Sequence, residues 1–379
     1  MVSRAEPSLS GRWWWSIDRI ILTTLVALMV SGVVLLMAGG PPVAERLGLS
    51  TFHFVNRQVV YLLVALAIFL STSLLAPRHV RRIALIIFLF SLAGVVGTLF
   101  FGVEVKGAKR WLTLGPLGSI QPSEFIKPAF VVLAAWAFAE GHRRPDLPGT
   151  IIAFLLLPIT IVPLVLQPDF GQTILITLVW AGLFFVAGLH WFWVLGLGGI
   201  GAVGLFIAYE LVPHVRARIE RFMDKGSGDT FQVDTALESF AQGGWFGKGP
   251  GEGTVKRILP DAHTDFIFAV TAEEFGIVVC MVLVLLFALI VLRALFVAQR
   301  AEDPFVRLGV TGLALLFGIQ AAINMMVNLH MMPAKGMTLP FISYGGSSLI
   351  SLALGTGFLL ALTRKRPRAE SFGETGRRT

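Results

Sequence analysis

Ten stretches of about twenty mostly apolar residues run through this chain, and they constrain its fold more than any other feature. Crossing a hydrocarbon core takes about 20 consecutive apolar residues in a helix. Within lipid only helices and closed barrels satisfy their own backbone polar groups. The windows are 18–38, 57–76, 82–101, 123–140, 149–167, 170–188, 190–211, 266–296, 305–330 and 342–363. They predict an all-α polytopic membrane protein with ten transmembrane helices. Composition agrees, with 55% hydrophobic and only 14% charged residues, against about 25% charged in soluble domains. The first apolar run, Ile20 to Met37, follows Arg4, Arg12 and Arg19 and precedes Ala38-Gly39-Gly40, as a cleaved signal peptide would. It exceeds the roughly 7–15 residues of a signal core, so it is read as a retained span. The single cysteine, Cys280, has no partner for a disulfide or a metal site.

Ten spans place both termini on one side. Arginines cluster at Arg78, Arg81 and Arg82, at Arg143 and Arg144, at Arg293, Arg300 and Arg307, and in the tail from Arg364. The excess of cations on cytoplasmic segments then makes both termini cytoplasmic. This divides the chain into an N-terminal tail 1–17, a membrane domain 18–363 and a basic tail 364–379. The net charge of +8 fits orientation and anionic lipid rather than nucleic acid. Two outer segments, 102–122 and the large loop 212–264 between the seventh and eighth helices, also carry cations. Long outer loops escape the charge rule; alternatively these cations meet an anionic ligand. Within the second, Val215, Ile219 and Phe222 have the spacing of a short helix on the membrane surface.

The stretch Leu259 to Glu274 concentrates ionisable groups. Asp261, His263 and Asp265 stand just before an apolar run, and Glu273 and Glu274 lie inside it. Such groups are expensive at membrane depth, by about 2.5–3.5 kcal/mol for a central Asp, Lys or Arg on insertion scales. Asp265 sits at the water-to-lipid boundary, where partial desolvation favours a neutral carboxyl and poises it as a general base. It is equally placed to cap the helix that follows. Lys106-Gly107-Ala108-Lys109-Arg110-Trp111 offers three cations and an aromatic ring. Arginine forks suit phosphate oxygens, and Trp111 suits either a sugar or the interfacial belt. Glu124 and Lys127 share a helical face and form either an ion pair locking a helix start or part of a binding site. Asp169 either caps the sixth span or faces the outer cavity. The run Gly243 to Gly251 lacks the strand, spacing and Ser/Thr of a phosphate-binding P-loop, which leaves a backbone anion nest or a flexible connection. Gly345 and Gly346, opening the last span after Pro340, suit close helix packing. Asn324 and Asn328 are four residues apart and can bond between helices.

In this order the motifs resemble the SEDS family (shape, elongation, division and sporulation) over residues 17 to 365. The residues carrying the resemblance are Lys106-Gly-Ala-Lys-Arg-Trp111, Gln121-Pro-Ser-Glu124, Gln167-Pro-Asp-Phe-Gly171, the Gly247/Gly249 loop, Ala262-His-Thr-Asp-Phe-Ile-Phe268 and Leu339-Pro-Phe-Ile-Ser-Tyr-Gly-Gly-Ser-Ser348. Phe170 and Ala262 favour the cell-division branch over the elongation branch. Pro250 departs from the usual glycine-serine run of the loop.

The resemblance implies a peptidoglycan glycosyltransferase of the bacterial inner membrane, acting at the septum on lipid II, with Asp265 as the essential outer-face acid. Substrate-binding candidates are Lys106, Lys109, Arg110, Trp111, Gln121, Glu124, Lys127, Asp169, Gln232, His263, Glu274, Lys335, Ser343 and Ser347. No dedicated cofactor is implied, although a divalent cation, Mg or Mn, can assist through Asp265 and pyrophosphate oxygens. Implied partners are a class B penicillin-binding transpeptidase and the membrane proteins of the division complex. Two rivals are a lipid II flippase and a non-catalytic scaffold. A flippase should line charge along the full membrane depth, whereas here charge gathers at the outer mouth.

Overall fold

The computed structural model describes residues 9–105, 108–113, 115, 118–144, 146–188, 191–211, 216, 220, 231–333 and 336–365. It is mostly helical. A short α1 (Leu9–Ser16) leads into α2 (Arg19–Arg46), α3 (His53–Ser73) and α4 (Pro77–Phe101). Then come α5 (Pro122–Arg143), α6 (Gly149–Leu166), α7 (Phe170–Val186) and α8 (Trp191–Leu211). After the outer segment come α9 (Phe231–Gly243), a 3₁₀ turn (Val255–Arg257), α10 (Ile267–Gln299), α11 (Pro304–Asn328) and α12 (Gly346–Thr363). Among the described residues eight helices are long and apolar enough to span a bilayer, and α7 is a shorter apolar helix. The ten apolar windows fall on α2 to α8 and α10 to α12.

Side-chain character sorts these helices into an inner and an outer set. Within its most apolar stretch α5 is 89% buried, α12 83% and α11 72%, against 22% for α6 and 28% for α3, α4 and α10. The interior of α5 is rich in alanine, and Ala129, Ala134, Ala135, Ala137 and Ala139 are all buried. Small side chains let backbones approach where lipid offers no hydrophobic drive for association. Gly312 of α11 faces Val131 and Leu183, and Gly32 of α2 lies against the Phe341 carbonyl. Outer helices instead present Phe90, Phe100, Leu285 and Leu292 outward.

Helix starts follow local chemistry. Asp18 accepts from the Ile21 amide at 3.2 Å, and Asp303 accepts from Phe305 at 2.8 Å. Each caps a helix by satisfying an orphan amide.

Two expectations need correction. The fold is not purely α-helical. The outer segment after α4 folds as a small antiparallel sheet, β1 (Val103–Val105), β2 (Ala108–Thr113) and β3 (Ser119–Ile120). Glu104 pairs with Lys109 across β1 and β2, and Leu112 pairs with Ile120 across β2 and β3. Two of these strands fall short of the four or more residues that a period-2 signal needs. The eighth apolar window is also not one continuous helix. Gly276, at φ 80° and ψ 174°, interrupts α10 after two turns. The surface helix expected around Val215, Ile219 and Phe222 lies outside the described residues.

α12 packs along α3, and Gly357 is the point of closest approach: a Cβ there would lie 1.9 Å from Thr72 Oγ1 and 3.0 Å from the Phe69 carbonyl. Gly357→Val should therefore destabilise the protein by about 1–3 kcal/mol, the usual cost of overpacking. Gly97→Val, where nothing lies within 4 Å, should leave the melting temperature in detergent nearly unchanged. Equal melting of the two variants would contradict the inner-helix assignment of α12.

Candidate active site at the mouth of a broken helix

Asp265 ends a compact turn that delivers the chain into α10. The Asp261 carbonyl, held at φ 52°, accepts from the amides of Thr264 at 3.0 Å and Phe266 at 3.3 Å. Arg46 donates to the Leu259 carbonyl at 3.0 Å, which fixes the start of the turn. The N-cap of α10 is Phe266, with no side-chain capping bond. Asp265 is the residue immediately before that N-cap.

What holds Asp265 is its own carbonyl. Asn324 and Asn328 of α11 each donate a side-chain amide to it at 2.9 Å. Asn328 also accepts from the Ala269 amide at 3.1 Å, and Asn324 donates to the Met337 carbonyl at 2.6 Å. The half-buried Asp265 carboxylate projects toward Gly336, where a Cβ would come within 3.6 Å of Oδ2. His263 is buried, with its ring 4.2 Å from Phe54 and 5.5 Å from Tyr344. Its carbonyl accepts from the Tyr344 amide at 2.9 Å. Tyr344 itself has its pKa raised, mainly by burial.

The other acids of the motif are tied into the scaffold. Glu273 accepts from the amides of Thr254, Val255 and Lys256 at 2.6, 2.7 and 2.9 Å. Glu274 is fully buried and paired with Lys256, whose ammonium also reaches the Ala38 carbonyl at 3.2 Å. Beside them the glycine-rich loop is tied to α10 by main-chain hydrogen bonds. Amides 277 and 278 donate to the carbonyls of Gly244 and Trp245, while carbonyls 273 and 274 accept from Lys248 and Gly249, all at 2.9–3.2 Å. The loop thus supplies the hydrogen bonds that the break removes from α10. Gly247 (φ 79°) and Gly276 have no room for a Cβ at this junction.

A second polar group starts at β2. Arg110 donates to the carbonyls of Gln167, at 3.3 Å, and Pro168, and lies 3.7 Å from Asp169. Asp169 caps α7 through the Gln172 amide at 3.5 Å, so capping and ion pairing coexist there. Burial raises the Asp169 pKa; Arg110 opposes this and nearby Glu124 adds to it. Gln172 donates to Glu124 at 2.7 Å, and Glu124 pairs with Lys127 at 2.8 Å. Lys127 then donates to Gln320 at 3.0 Å, and Gln320 to the Thr338 carbonyl at 3.1 Å. Gln320 was not among the expected site residues. Its spacing from Asn324 and Asn328, four and eight residues, was the available signal.

The remaining predicted residues have simpler places. Lys109 is exposed and Trp111 half-buried on β2, and Gln232 is partly exposed on the first turn of α9. Ser347 accepts from the Gln121 amide at 3.1 Å, and Ser343 from the Leu339 amide at 2.8 Å. Both serines hold the entry to α12. Lys106 and Lys335 lie outside the described residues. Among the described residues no three of His, Cys, Asp or Glu gather as a metal cage.

These features define a multi-pass membrane protein with an acidic turn clamped at the mouth of an interrupted helix. A family model described as "Cell cycle protein", covering FtsW, RodA and SpoVE, matches residues 18–368, and the chain belongs to that family. A protein of Caulobacter vibrioides named probable peptidoglycan glycosyltransferase FtsW is 45% identical over 375 residues, 99% of this chain and 95% of that protein. One of the same name from Aliivibrio salmonicida is 33% identical over 93% of this chain and 92% of its own length. Among solved structures, a chain from a peptidoglycan synthase complex coordinating polymerization and crosslinking superposes with a TM-score of 0.74. It is 28% identical and covers 92% of this chain and 98% of its own. The rod shape determining protein RodA of Thermus thermophilus gives 0.68 at 30% identity, over 92% of this chain and 97% of its own.

Glu124 and Lys127 form a buried ion pair. Glu124→Gln alone should cost about 3–5 kcal/mol by leaving the ammonium uncompensated, and adding Lys127→Met should recover part of that. A double-mutant cycle in detergent unfolding reads the coupling; strictly additive losses would contradict the pair. Asp169 has a further signature. A carboxyl whose pKa is raised on folding binds its proton more tightly folded than unfolded. Its stabilisation is full below the ordinary 3.8 and is lost as pH rises through the folded value. Relative to Asp169→Asn, the wild type should therefore lose stability as pH rises above about 4. A wild type that gains stability relative to Asp169→Asn as pH rises in that range would reverse the assignment.

Proposed function

We propose that this protein is a peptidoglycan glycosyltransferase that polymerises lipid II into glycan strands during cell division, with Asp265 as general base. The observation that carries the site assignment is the double asparagine clamp. It fixes the Asp265 main chain and aims the carboxylate beside Gly336, at the outer end of the bundle. The identity to relatives named as FtsW supports the activity and the division branch. The topology has ten spans, both termini in the cytoplasm, and segment 212–264 outside.

In this reading Asp265 takes the proton from the 4-hydroxyl of the acceptor GlcNAc. The freed oxygen attacks C1 of the donor MurNAc, the C1–O bond to the undecaprenyl pyrophosphate breaks, and the α link becomes β. Lys109 would stabilise the developing pyrophosphate charge, as an electrostatic clamp does, and the sequence offers Lys335, outside the described residues, for the same role. Arg110 is already engaged with Gln167, Pro168 and Asp169, so its part is to hold β2 against the α6–α7 turn. A magnesium or manganese ion would be held by Asp265 and pyrophosphate oxygens, because the described residues offer no cage, and would neutralise leaving-group charge. His263, in tilted ring contact with Phe54 and Tyr344, positions the turn. The partner that fits is a class B penicillin-binding transpeptidase with the septal division complex, in keeping with the synthase complex among the structural neighbours.

The broken helix α10 is also a feature of transporters, so a flippase is the reading to exclude. Purified protein with a cognate transpeptidase, labelled lipid II and divalent cation should yield glycan polymer. Asp265→Asn should lower the rate by at least about 10²-fold, the lower bound for a general base, with unchanged folding. Polymerisation at a near-normal rate by Asp265→Asn removes it from the role. No polymer from the wild type, together with lipid II flipping in liposomes, favours transport.

A further inference from the structure

At the opposite end of the bundle from Asp265, the two chain ends close a pocket. The Lys365 amide donates to the Ser16 carbonyl at 2.9 Å. Arg364 donates to Ser16 Oγ at 2.9 Å and to the Leu74 carbonyl at 3.1 Å. α1, the start of α2, the end of α10 and the end of α12 thereby enclose about 930 Å³. Five cations line it: Arg19, Arg293, Arg300, Arg364 and Lys365. Three acids share the lining, Asp18, Glu302 and Asp303. Asp18 caps α2 and pairs with Arg293 at 2.8 Å, and Asp303 caps α11 and pairs with Arg143 at 2.7 Å.

Two guanidiniums have a different standing. Arg19 stacks over Trp14 and Trp15, 5.3 and 4.6 Å from the ring centroids. Arg300 lies 4.0 Å over Phe296. Among the described residues neither is in an ion pair or a hydrogen bond. Stacking orients a guanidinium while leaving its edge donors to meet an anion. The wall between them is apolar, formed by Trp15, Ile20, Pro77, Val297 and Val306. Trp15, Ile20 and Phe296 are about two-fifths exposed, and Leu292, one turn along α10, is 66% exposed. The pocket therefore opens onto the lipid-facing side of α2 and α10.

We propose that this pocket binds the phosphodiester headgroup of an anionic phospholipid in the leaflet at this end, with Arg19 and Arg300 on the phosphate and the acyl chains running down the exposed face of α2 and α10. A free phosphate would use the same two cations but would gain nothing from the apolar wall. This assignment does not rest on the glycosyltransferase reading, and its test needs no activity.

Full-length protein in detergent is titrated with dioctanoyl phosphatidylglycerol, dioctanoyl phosphatidylcholine or inorganic phosphate, and bound ligand is counted by native mass spectrometry. The wild type should retain phosphatidylglycerol in preference to phosphatidylcholine. Arg19→Ala/Arg300→Ala should weaken that binding by about thirtyfold, the loss expected for two juxtamembrane cations. Val306→Glu, which puts an anion into the pocket and leaves both arginines in place, should weaken it as well and covers the case in which the double variant misfolds. Arg82→Ala, an exposed arginine outside the lining, should bind as wild type. Equal retention of the two lipids by the wild type, or equal loss in Arg82→Ala, would overturn the pocket. Displacement of the lipid by inorganic phosphate at comparable concentration would overturn the lipid assignment in favour of a free phosphoryl ligand.

Discussion

The buried ion pair between Glu124 and Lys127 is the constraint on which the site depends. Placing two charges among apolar helices costs several kcal/mol per ion unless the remaining lone pairs and protons are met. Here Gln172 donates to Glu124 on one side, and Lys127 donates to Gln320 on the other. α5, α7 and α11 are thereby fixed in register. From Gln320 the same face of α11 continues through Asn324 and Asn328 to the Asp265 carbonyl. One polar seam thus runs from Arg110 on the outer sheet to the acid at the mouth of α10. A shift of α5 along its axis would have to break charge-assisted bonds in a low-dielectric interior, where they are strongest.

This arrangement divides labour among residues of the same type. Of the five ionisable groups between Asp261 and Glu274, Glu273 and Glu274 are consumed by the 254–256 segment. His263 is packed between aromatic rings, and the Asp261 carbonyl closes the turn. Asp265 is the member whose main chain is clamped while its carboxylate points to the lining of the mouth. Electrostatic preorganisation asks for a reacting group fixed before substrate arrives. The clamp supplies this for the Asp265 main chain through two side-chain amides donated to its carbonyl.

Much of this was legible in the amino-acid order. Twenty-residue apolar windows located the long helices because lipid forces backbone self-satisfaction. The Glu124–Lys127 spacing pointed to a pair, and the Asn324–Asn328 spacing to an interhelical bond. The small sheet escaped because β1 and β3 are too short for alternation to show. The break at Gly276 escaped because a glycine inside an apolar run has no distinguishing neighbour in sequence. Its partners, 244 to 249, are some thirty residues away. Gln320 escaped for the same reason: its value lies in what two other helices bring to it. The expectation that Glu274 meets substrate drew on its closeness to Asp265 along the chain; its buried pairing with Lys256 is set by a loop whose path local spacing does not encode.

The exchange of hydrogen bonds between the glycine-rich loop and α10 has a mechanical consequence. Residues 277–299 form a rod on the outer side of the bundle, while the two turns from Ile267 to Phe275 are joined to that rod at a glycine. Carbonyls 273 and 274, at the end of those two turns, are gripped by Lys248 and Gly249. Carbonyls 244 and 245 of the same loop accept from amides 277 and 278 at the start of the rod, so a pull on the outer segment reaches both sides of the break. The loop is a splint across Gly276, tying the short half-helix to the long one.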